Sequence, residues 1–107
     1  MIFHIIRKTI LFIITYIYVF YRNIDAEFFK VISKNLKELD TLIVYSCPNI
    51  EDDAIKFISK FDKLKSLDLS FCKGISSSAF YNLNGLVNLE KLLLADVNLN
   101  ENHLKFL

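Results

Sequence analysis

Apolar residues recur along the chain at a fixed interval of 25 residues. The interval becomes visible when residues 39–50, 64–75 and 89–100 are written under one another. Four columns of apolar or cysteine side chains then line up: Leu39, Leu64 and Leu89; Leu42, Leu67 and Leu92; Val44, Leu69 and Leu94; Cys47, Cys72 and Val97. A fixed interval of this kind is typical of stacked structural units that share one core.

Each unit predicts a strand followed by a helical segment. In Leu67-Asp68-Leu69 the apolar side chains alternate with a polar one, and alternation with period two indicates a strand. Apolar residues at helical spacing follow each of the first two strands. The sequence therefore predicts parallel strands within residues 39–46, 64–71 and 89–96, and helical segments around residues 53–61 and 78–84.

The pattern L-x-x-L-x-L-x-x-C/N-x-I/L is that of leucine-rich repeats. The predicted fold class is therefore an α/β leucine-rich repeat solenoid of about three 25-residue coils. We expect a short parallel sheet with helices on its other side, preceded by an N-terminal apolar helix.

The N-terminal segment, residues 1–23, reads MIFHIIRKTILFIITYIYVFYRN and is apolar on every helical face. No charged residue occurs from Thr9 to Tyr21, so we expect one continuous helix over residues 4–21. Three roles remain open for it: a membrane anchor that contacts lipid through residues 2–21, a targeting segment, or an apolar cap on the first coil. We divide the chain into this segment and a leucine-rich repeat domain, residues 24–107.

Composition argues against most catalytic and nucleic-acid-binding classes. The net charge is +1, which gives no reason to expect a nucleic-acid partner. The chain contains no phosphate-binding loop, nucleophile elbow or zinc-protease motif, so we expect no enzymatic activity, no cofactor and no metal. The two histidines, His4 and His103, stand far apart near the two ends. Cys47 and Cys72 occupy one column of the repeat, where a small buried side chain suits the bend after each strand.

The candidate partner-binding residues are the outward-facing positions of the three predicted strands. Alternate strand residues point to opposite faces of a sheet, so these side chains contribute little to the core. The predicted set is Thr41, Ile43, Tyr45, Ser66, Asp68, Ser70, Lys91, Leu93 and Ala95. The alternative interpretation is a row of ordinary solvated strand positions. Two apolar residues on one outer face favour a protein partner.

From Ile24 to Val97 the chain resembles the cysteine-containing leucine-rich repeat proteins. It is most similar to the mitochondrial ATP synthase subunit s-like proteins (coupling factor B) and to the distal-membrane-arm assembly factors of respiratory complex I. The stretches that carry the resemblance are IDA at 24–26, CPNIEDDAI at 47–55, CKGIS at 72–76 and NLEKLLLADV at 88–97.

This resemblance implies a non-catalytic protein–protein interaction module that acts in respiratory-complex assembly or coupling. The implied partner is a mitochondrial inner-membrane complex, and the implied location is the mitochondrial inner membrane or matrix. The chain departs from the family in an N-terminus more apolar than a normal transit peptide. It also lacks the family's usual C-terminal tail after Leu107.

A second family, the F-box leucine-rich repeat proteins, shares the same repeat pattern. These proteins are substrate receptors of ubiquitin ligases, so the alternative function is a cytoplasmic receptor of that type. Their repeats are usually slightly longer than the interval found here, and residues 1–38 contain no recognisable F-box.

Overall fold

The computed structural model describes residues 14–97, in which strands and helices alternate. The connecting helices are two α-helices and one 3₁₀ helix. The elements are, in chain order, β1 (Tyr16–Phe20), α1 (Ala26–Asn35), β2 (Thr41–Tyr45), α2 (Asp52–Ile58), β3 (Ser66–Asp68), the 3₁₀ helix (Ser77–Gly85) and β4 (Lys91–Leu93).

The four strands form one parallel sheet in the order β1-β2-β3-β4. Each strand pairs with the next at the same shift: Tyr16 lies opposite Thr41, Thr41 opposite Ser66, and Ser66 opposite Lys91. The predicted parallel strands within residues 39–46, 64–71 and 89–96 are confirmed. The 25-residue interval in the sequence therefore corresponds to the register of the sheet, because each strand residue lies opposite the residue 25 positions later.

The predicted fold class, a leucine-rich repeat solenoid preceded by an N-terminal apolar helix, is wrong. The described residues form a small α/β unit with one four-stranded parallel sheet and three helices. The three connections differ in kind and length: α1 has 10 residues, α2 has 7, and the third is a 3₁₀ helix of 9 residues. Successive connections therefore do not repeat one conformation.

The continuous helix predicted over residues 4–21 is also wrong, because Tyr16–Phe20 form β1. The part of that prediction on residues 4–13 lies outside the described residues. No helix within residues 14–97 is long and apolar enough to cross a membrane. The prediction of a transmembrane helix reaching Tyr21 is therefore corrected. Aromatic and β-branched residues fill every position of β1, and such residues favour strands.

Helix α1 begins at a clear local signal. The side chain of Asp25 accepts a hydrogen bond from the backbone N–H of Glu27 at 3.0 Å, which satisfies one of the free donors at the helix start. Glu27 in the first turn and Lys34 in the last turn both complement the helix dipole. The helix buries Phe29 completely against the core.

The core lies between the sheet and the three helices. The side chains that the sequence interval places in one column pack together in this core, because they occupy the same position in successive strands, although Leu89, Leu92, Leu94 and Val97 are only partly buried. The fully buried large side chains are Phe29, Phe80, Leu39, Leu42, Ile50, Ile55, Ile58, Leu64, Leu67, Leu69, Ile75 and Val44. Burying side chains of this size supplies about 1.5–3 kcal/mol each, which is the main stabilising contribution in a chain of this length.

The chain leaves each strand through a residue in the left-handed backbone region. Tyr21, Ser46, Phe71 and Asp96 have φ angles of 55°, 55°, 62° and 51°, and they recur at the same interval as the strands. Their N–H groups continue the pairing past the strands: Ser46 donates to the carbonyl of Ser70 at 2.9 Å, and Phe71 donates to that of Ala95 at 2.8 Å. These residues turn the chain away from the sheet at the carboxyl ends of the strands.

Candidate functional site: an aromatic outer face of the sheet

The outer face of the sheet, opposite the helices, carries the predicted partner-binding residues. The register places Thr41, Ser66 and Lys91 in one row. It places Ile43, Asp68 and Leu93 in the next row. The structure therefore brings these six residues together.

The third predicted row lies at the carboxyl ends of the strands and is less uniform. Tyr45 is half-buried and lies opposite Phe20. Ser70 is 3% exposed, and its hydroxyl accepts a hydrogen bond from the backbone N–H of Ala95 at 3.0 Å. The N–H of Ser70 donates to the carboxylate of Asp68 at 2.8 Å. Ser70 therefore holds the backbone after β3, while Ala95 is exposed.

A fourth strand, β1, completes this face, and the sequence analysis did not identify it. Tyr16, Tyr18 and Phe20 lie opposite Thr41, Ile43 and Tyr45 respectively. The three β1 rings are 52%, 50% and 47% exposed. Large aromatic side chains that remain half exposed on one strand form an apolar surface that the other described residues, within 14–97, do not cover.

The β1 rings continue into a connected row that we call the aromatic strip. It consists of Tyr16, Tyr18, Phe20, Tyr21, Tyr45 and Phe71. The ring centroids of Tyr16 and Tyr18 are 4.7 Å apart, and those of Tyr18 and Phe20 are 6.1 Å apart.

At the carboxyl ends of the strands, the ring of Tyr45 joins the strip together. Its centroid lies 6.0 Å from that of Phe20, 5.8 Å from that of Tyr21 and 5.1 Å from that of Phe71. These are favourable distances for aromatic pairs. The strip therefore runs along β1 and then across β2 to the turn after β3.

Two members of the strip occupy backbone conformations that disfavour their own residue type. Tyr21 and Phe71 have φ angles of 55° and 62°. A left-handed conformation costs a residue with a side chain about 1–2 kcal/mol, and glycine avoids that cost. The fold thus carries two aromatic side chains where glycine would be less strained.

The hydroxyl of Tyr18 is kept in its neutral, proton-donating form. The pKa of Tyr18 is raised above its ordinary value of 10.0, first because of side-chain hydrogen bonding with Tyr16 and then because of desolvation. At neutral pH the hydroxyl of Tyr18 is therefore protonated and can act as a hydrogen-bond donor.

A shallow depression of about 320 Å³ adjoins the strip at the carboxyl ends of the strands. We call it the exit depression, and it is lined by Ser46, Pro48, Phe71 and Lys73. Lys73 forms an ion pair of 3.2 Å with Asp96, in which both side chains are well exposed. Exposed pairs of this kind contribute little to stability.

The two thiols do not form a reactive site. Cys47 and Cys72 are free and fully buried. The Sγ of Cys72 donates to the carbonyl of Val44 at 3.2 Å, and desolvation raises the pKa of this thiol above its ordinary value of 9.0. A buried, protonated thiol is a poor nucleophile, which agrees with a structural role after the strand.

A second depression, at the amino ends of the strands, is lined by charged and polar residues, of which Glu38 and Lys63 pair with each other. It measures about 370 Å³ and is bordered by Thr15, Glu38, Asp40, Lys63, Lys65 and Asn88. Lys63 bridges both carboxylate oxygens of Glu38 at 2.8 Å. Asn88 donates to the carbonyl of Asp62 at 2.7 Å. These bonds link successive layers and give a structural reason for Glu38, Lys63 and Asn88.

Asp52, in the acidic run at residues 51–53, also has a structural role. Asp52 accepts hydrogen bonds of 2.6 Å from both the N–H and the hydroxyl of Ser76. Within residues 14–97 no group of three or more His, Cys, Asp and Glu side chains could hold a metal ion. His4 and His103 lie outside this range.

Comparison with models of known protein families gave no match, and comparison with the curated proteins gave none either. Neither result supports the leucine-rich repeat families or the mitochondrial role that the sequence resemblance implied. Location in the mitochondrion or in the cytoplasm is untested and stays a prediction.

The sequence did contain a signal for strand β1. Shifting the repeat back by one interval places Ile14, Ile17 and Val19 under Leu39, Leu42 and Val44. The run TYIYVFY at residues 15–21 also alternates aromatic with β-branched residues, which is typical of a strand. Both faces of β1 are apolar, so the segment had no polar stripe and resembled a buried helix.

Proposed function

We propose that this protein is a non-catalytic protein-binding module whose contact surface is the aromatic strip on the outer face of the sheet. The observation that carries the proposal is the connected row of rings from Tyr16 to Phe71, in which Tyr16, Tyr18, Phe20 and Tyr21 are 47–71% exposed. Tyrosine is enriched among the residues that dominate binding energy, because it supplies a rigid apolar surface and one polar tip.

The energetic position of the strip supports the same proposal. The exposed rings of Tyr16, Tyr18 and Phe20 do not pack into the core, so the fold does not require aromatic side chains there. Tyr21 and Phe71 occupy left-handed backbone positions, where an aromatic side chain costs stability. The left-handed conformation itself recurs after every strand and belongs to the fold, so the choice of an aromatic residue at two of the four positions is what favours a binding role.

The arrangement of charged and nucleophilic groups supports a binding role over a catalytic one. The described thiols are buried, and Lys63 at the amino ends of the strands pairs with Glu38. The outer face offers apolar area and hydroxyl groups, and these suit recognition.

The test is site-specific photo-crosslinking in cells that naturally express the protein. A photoreactive phenylalanine analogue replaces Tyr18 on the strip in one variant and Tyr81 in another. Tyr81 lies on the 3₁₀ helix, away from the outer face, and is 59% exposed, which matches the 50% of Tyr18. We expect one defined partner band from position 18 and none from position 81.

The matching loss-of-function pair is Tyr18→Ala and Tyr81→Ala. Removing a central aromatic contact typically costs at least 2 kcal/mol of binding free energy, or about 30-fold in affinity. We expect that loss for Tyr18→Ala only. A partner that crosslinks to position 81, and is released by Tyr81→Ala but retained by Tyr18→Ala, would show that the helical side is the binding surface.

A further inference from the structure

We infer that the segment bound by the aromatic strip is an acidic, proline-containing peptide in an extended conformation. This inference rests on the proposed function and specifies the partner of that same surface. Three features of the strip carry it: its area, its hydroxyl groups, and the charges at its carboxyl end.

The area of the strip suits a peptide better than a second folded protein. Tyr16, Tyr18, Phe20 and Tyr21 are between 47% and 71% exposed. At roughly 200 Å² for each aromatic side chain, these four rings offer on the order of 400 Å². A stable complex of folded proteins buries about 800 Å² on each partner. The strip alone therefore reaches about half the area that two copies of this chain would need.

The hydroxyl groups of the strip suit a polyproline-type backbone. Tyr16, Tyr18, Tyr21 and Tyr45 place four phenol groups along the strip, of which that of Tyr18 is already hydrogen-bonded with Tyr16. A polyproline II segment has no internal hydrogen bonds, so its carbonyls are available to such donors. Proline rings also pack flat on aromatic faces, and a preformed extended segment loses little conformational entropy on binding.

The charges near the strip favour an acidic segment. Arg22 directly follows Tyr21, is exposed, and forms no ion pair within the described part of the chain. Lys73 lines the exit depression beside Phe71. Its only partner among residues 14–97 is the exposed carboxylate of Asp96, which a partner carboxylate can replace at little cost. The carboxylate of Asp68, on the same face, already accepts the N–H of Ser70.

The test is fluorescence anisotropy with the full chain and three dye-labelled peptides. The peptides are three repeats of Pro-Pro-Glu, of Pro-Pro-Lys and of Gly-Gly-Glu. We expect the Pro-Pro-Glu peptide to bind saturably and about tenfold or more tightly than the other two. Tyr18→Ala should weaken it about tenfold, Lys73→Glu should weaken it and remove the preference over Pro-Pro-Lys, and Tyr81→Ala should leave it unchanged.

Each other outcome overturns a stated part of the inference. Equal binding of Pro-Pro-Lys overturns the acidic assignment, and equal binding of Gly-Gly-Glu overturns the proline assignment. A dimer in sedimentation that Tyr18→Ala dissociates would make a second copy the occupant. If no peptide binds while Tyr18→Ala still loses its crosslinked partner, the inference fails and the proposed function stands. If Tyr18→Ala loses neither peptide nor partner, both fail.

Discussion

Leu42 and Ile43 are neighbours on β2, yet Leu42 is fully buried against the helices and Ile43 is only partly buried on the outer face. The column of Leu42 contains Ile17, Leu67 and Leu92, all of similar size. The column of Ile43 contains Tyr18, Asp68 and Leu93, which share no chemical property. One backbone register therefore supports a uniform inner face and a varied outer face.

This difference shows which face carries the constraints of folding. An inner side chain must fill a space bounded by the strands beside it and the helices above it, so residues of one size recur. An outer side chain meets only its neighbours on the sheet and solvent. The residue type at an outer position can therefore be selected for binding. The outer face carries aromatic residues on β1 and Lys91 and Leu93 on β4, so its two ends differ in chemistry.

The largest expected effect separates the two faces directly. Leu67→Ala should lower the free energy of unfolding by about 3–5 kcal/mol, because Leu67 is fully buried and its removal leaves a cavity. Leu93→Ala should cost less than about 1 kcal/mol, because Leu93 is 43% exposed on the outer face. Urea unfolding followed by circular dichroism measures both. Equal losses would mean that the outer face is also part of the core.

The second prediction uses the only two glycines of the chain as a matched pair. A Cβ added at Gly74 would lie 2.6 Å from the carbonyl oxygen of Ile50 and 3.3 Å from that of Pro48. Because both neighbours are backbone atoms, Gly74→Ala should cost about 1–3 kcal/mol. A Cβ at Gly85 meets no atom within 4 Å, so Gly85→Ala should be neutral or stabilising by up to about 1 kcal/mol.

Thermal unfolding of the two glycine variants side by side decides the matter. A Gly74→Ala variant as stable as the native chain would show that the loops after β2 and β3 can separate without cost. The close packing inferred between residues 48–50 and residue 74 would then be wrong.

The inner face could be read from the sequence because packing repeats. Leu42, Leu67 and Leu92 must lie one above another, so their spacing directly gave the strands and the register. The 3₁₀ form of the third connection could not be read, because its apolar residues also fit α-helical spacing. The serine, asparagine and glycine residues of Ser77–Gly85 have weak α-helical preference, and their contacts with the core decide the conformation.

The outer face could be predicted only in part, because its side chains do not repeat from strand to strand. The nine predicted residues follow from alternation along three strands, but alternation does not reveal which of them remain exposed. Ser70, for example, is buried and forms hydrogen bonds with Ala95 and Asp68. The rings of β1 were assigned to a helix because a strand that is apolar on both faces lacks the polar alternation that identifies most strands.

The third prediction concerns the pH dependence of the inner face. The pKa of Cys72 is raised by burial above 9.0. Above pH 9 the unfolded thiol loses its proton while the folded thiol keeps it, so ionisation stabilises only the unfolded state. The free energy of unfolding should therefore fall as the pH rises above about 9, by at most about 1.4 kcal/mol per pH unit from this group.

The Cys72→Ala variant is the control for this titration. It should be less stable at neutral pH, but its stability should change less between pH 9 and 10. Lys63 and Tyr18 also have raised pKa values, from 10.5 and 10.0, so their losses begin at higher pH. An unchanged slope in Cys72→Ala would assign the pH dependence to groups other than this thiol.

The smallest expected change in stability belongs to the aromatic strip, and it separates binding from folding most sharply. Tyr21→Gly relieves a left-handed backbone position worth about 1–2 kcal/mol. It also removes the ring contact with Tyr45, worth about 0.5–1.5 kcal/mol. The two effects nearly cancel, so the free energy of unfolding should change by less than about 1 kcal/mol.

Tyr18→Gly makes the same substitution inside β1, where no left-handed strain is relieved, and should destabilise by about 1 kcal/mol or more. If both variants lose the partner while only Tyr18→Gly loses stability, Tyr21 is retained for binding at a cost to the fold. A Tyr21→Gly variant that is clearly destabilised would instead make Tyr21 a structural residue.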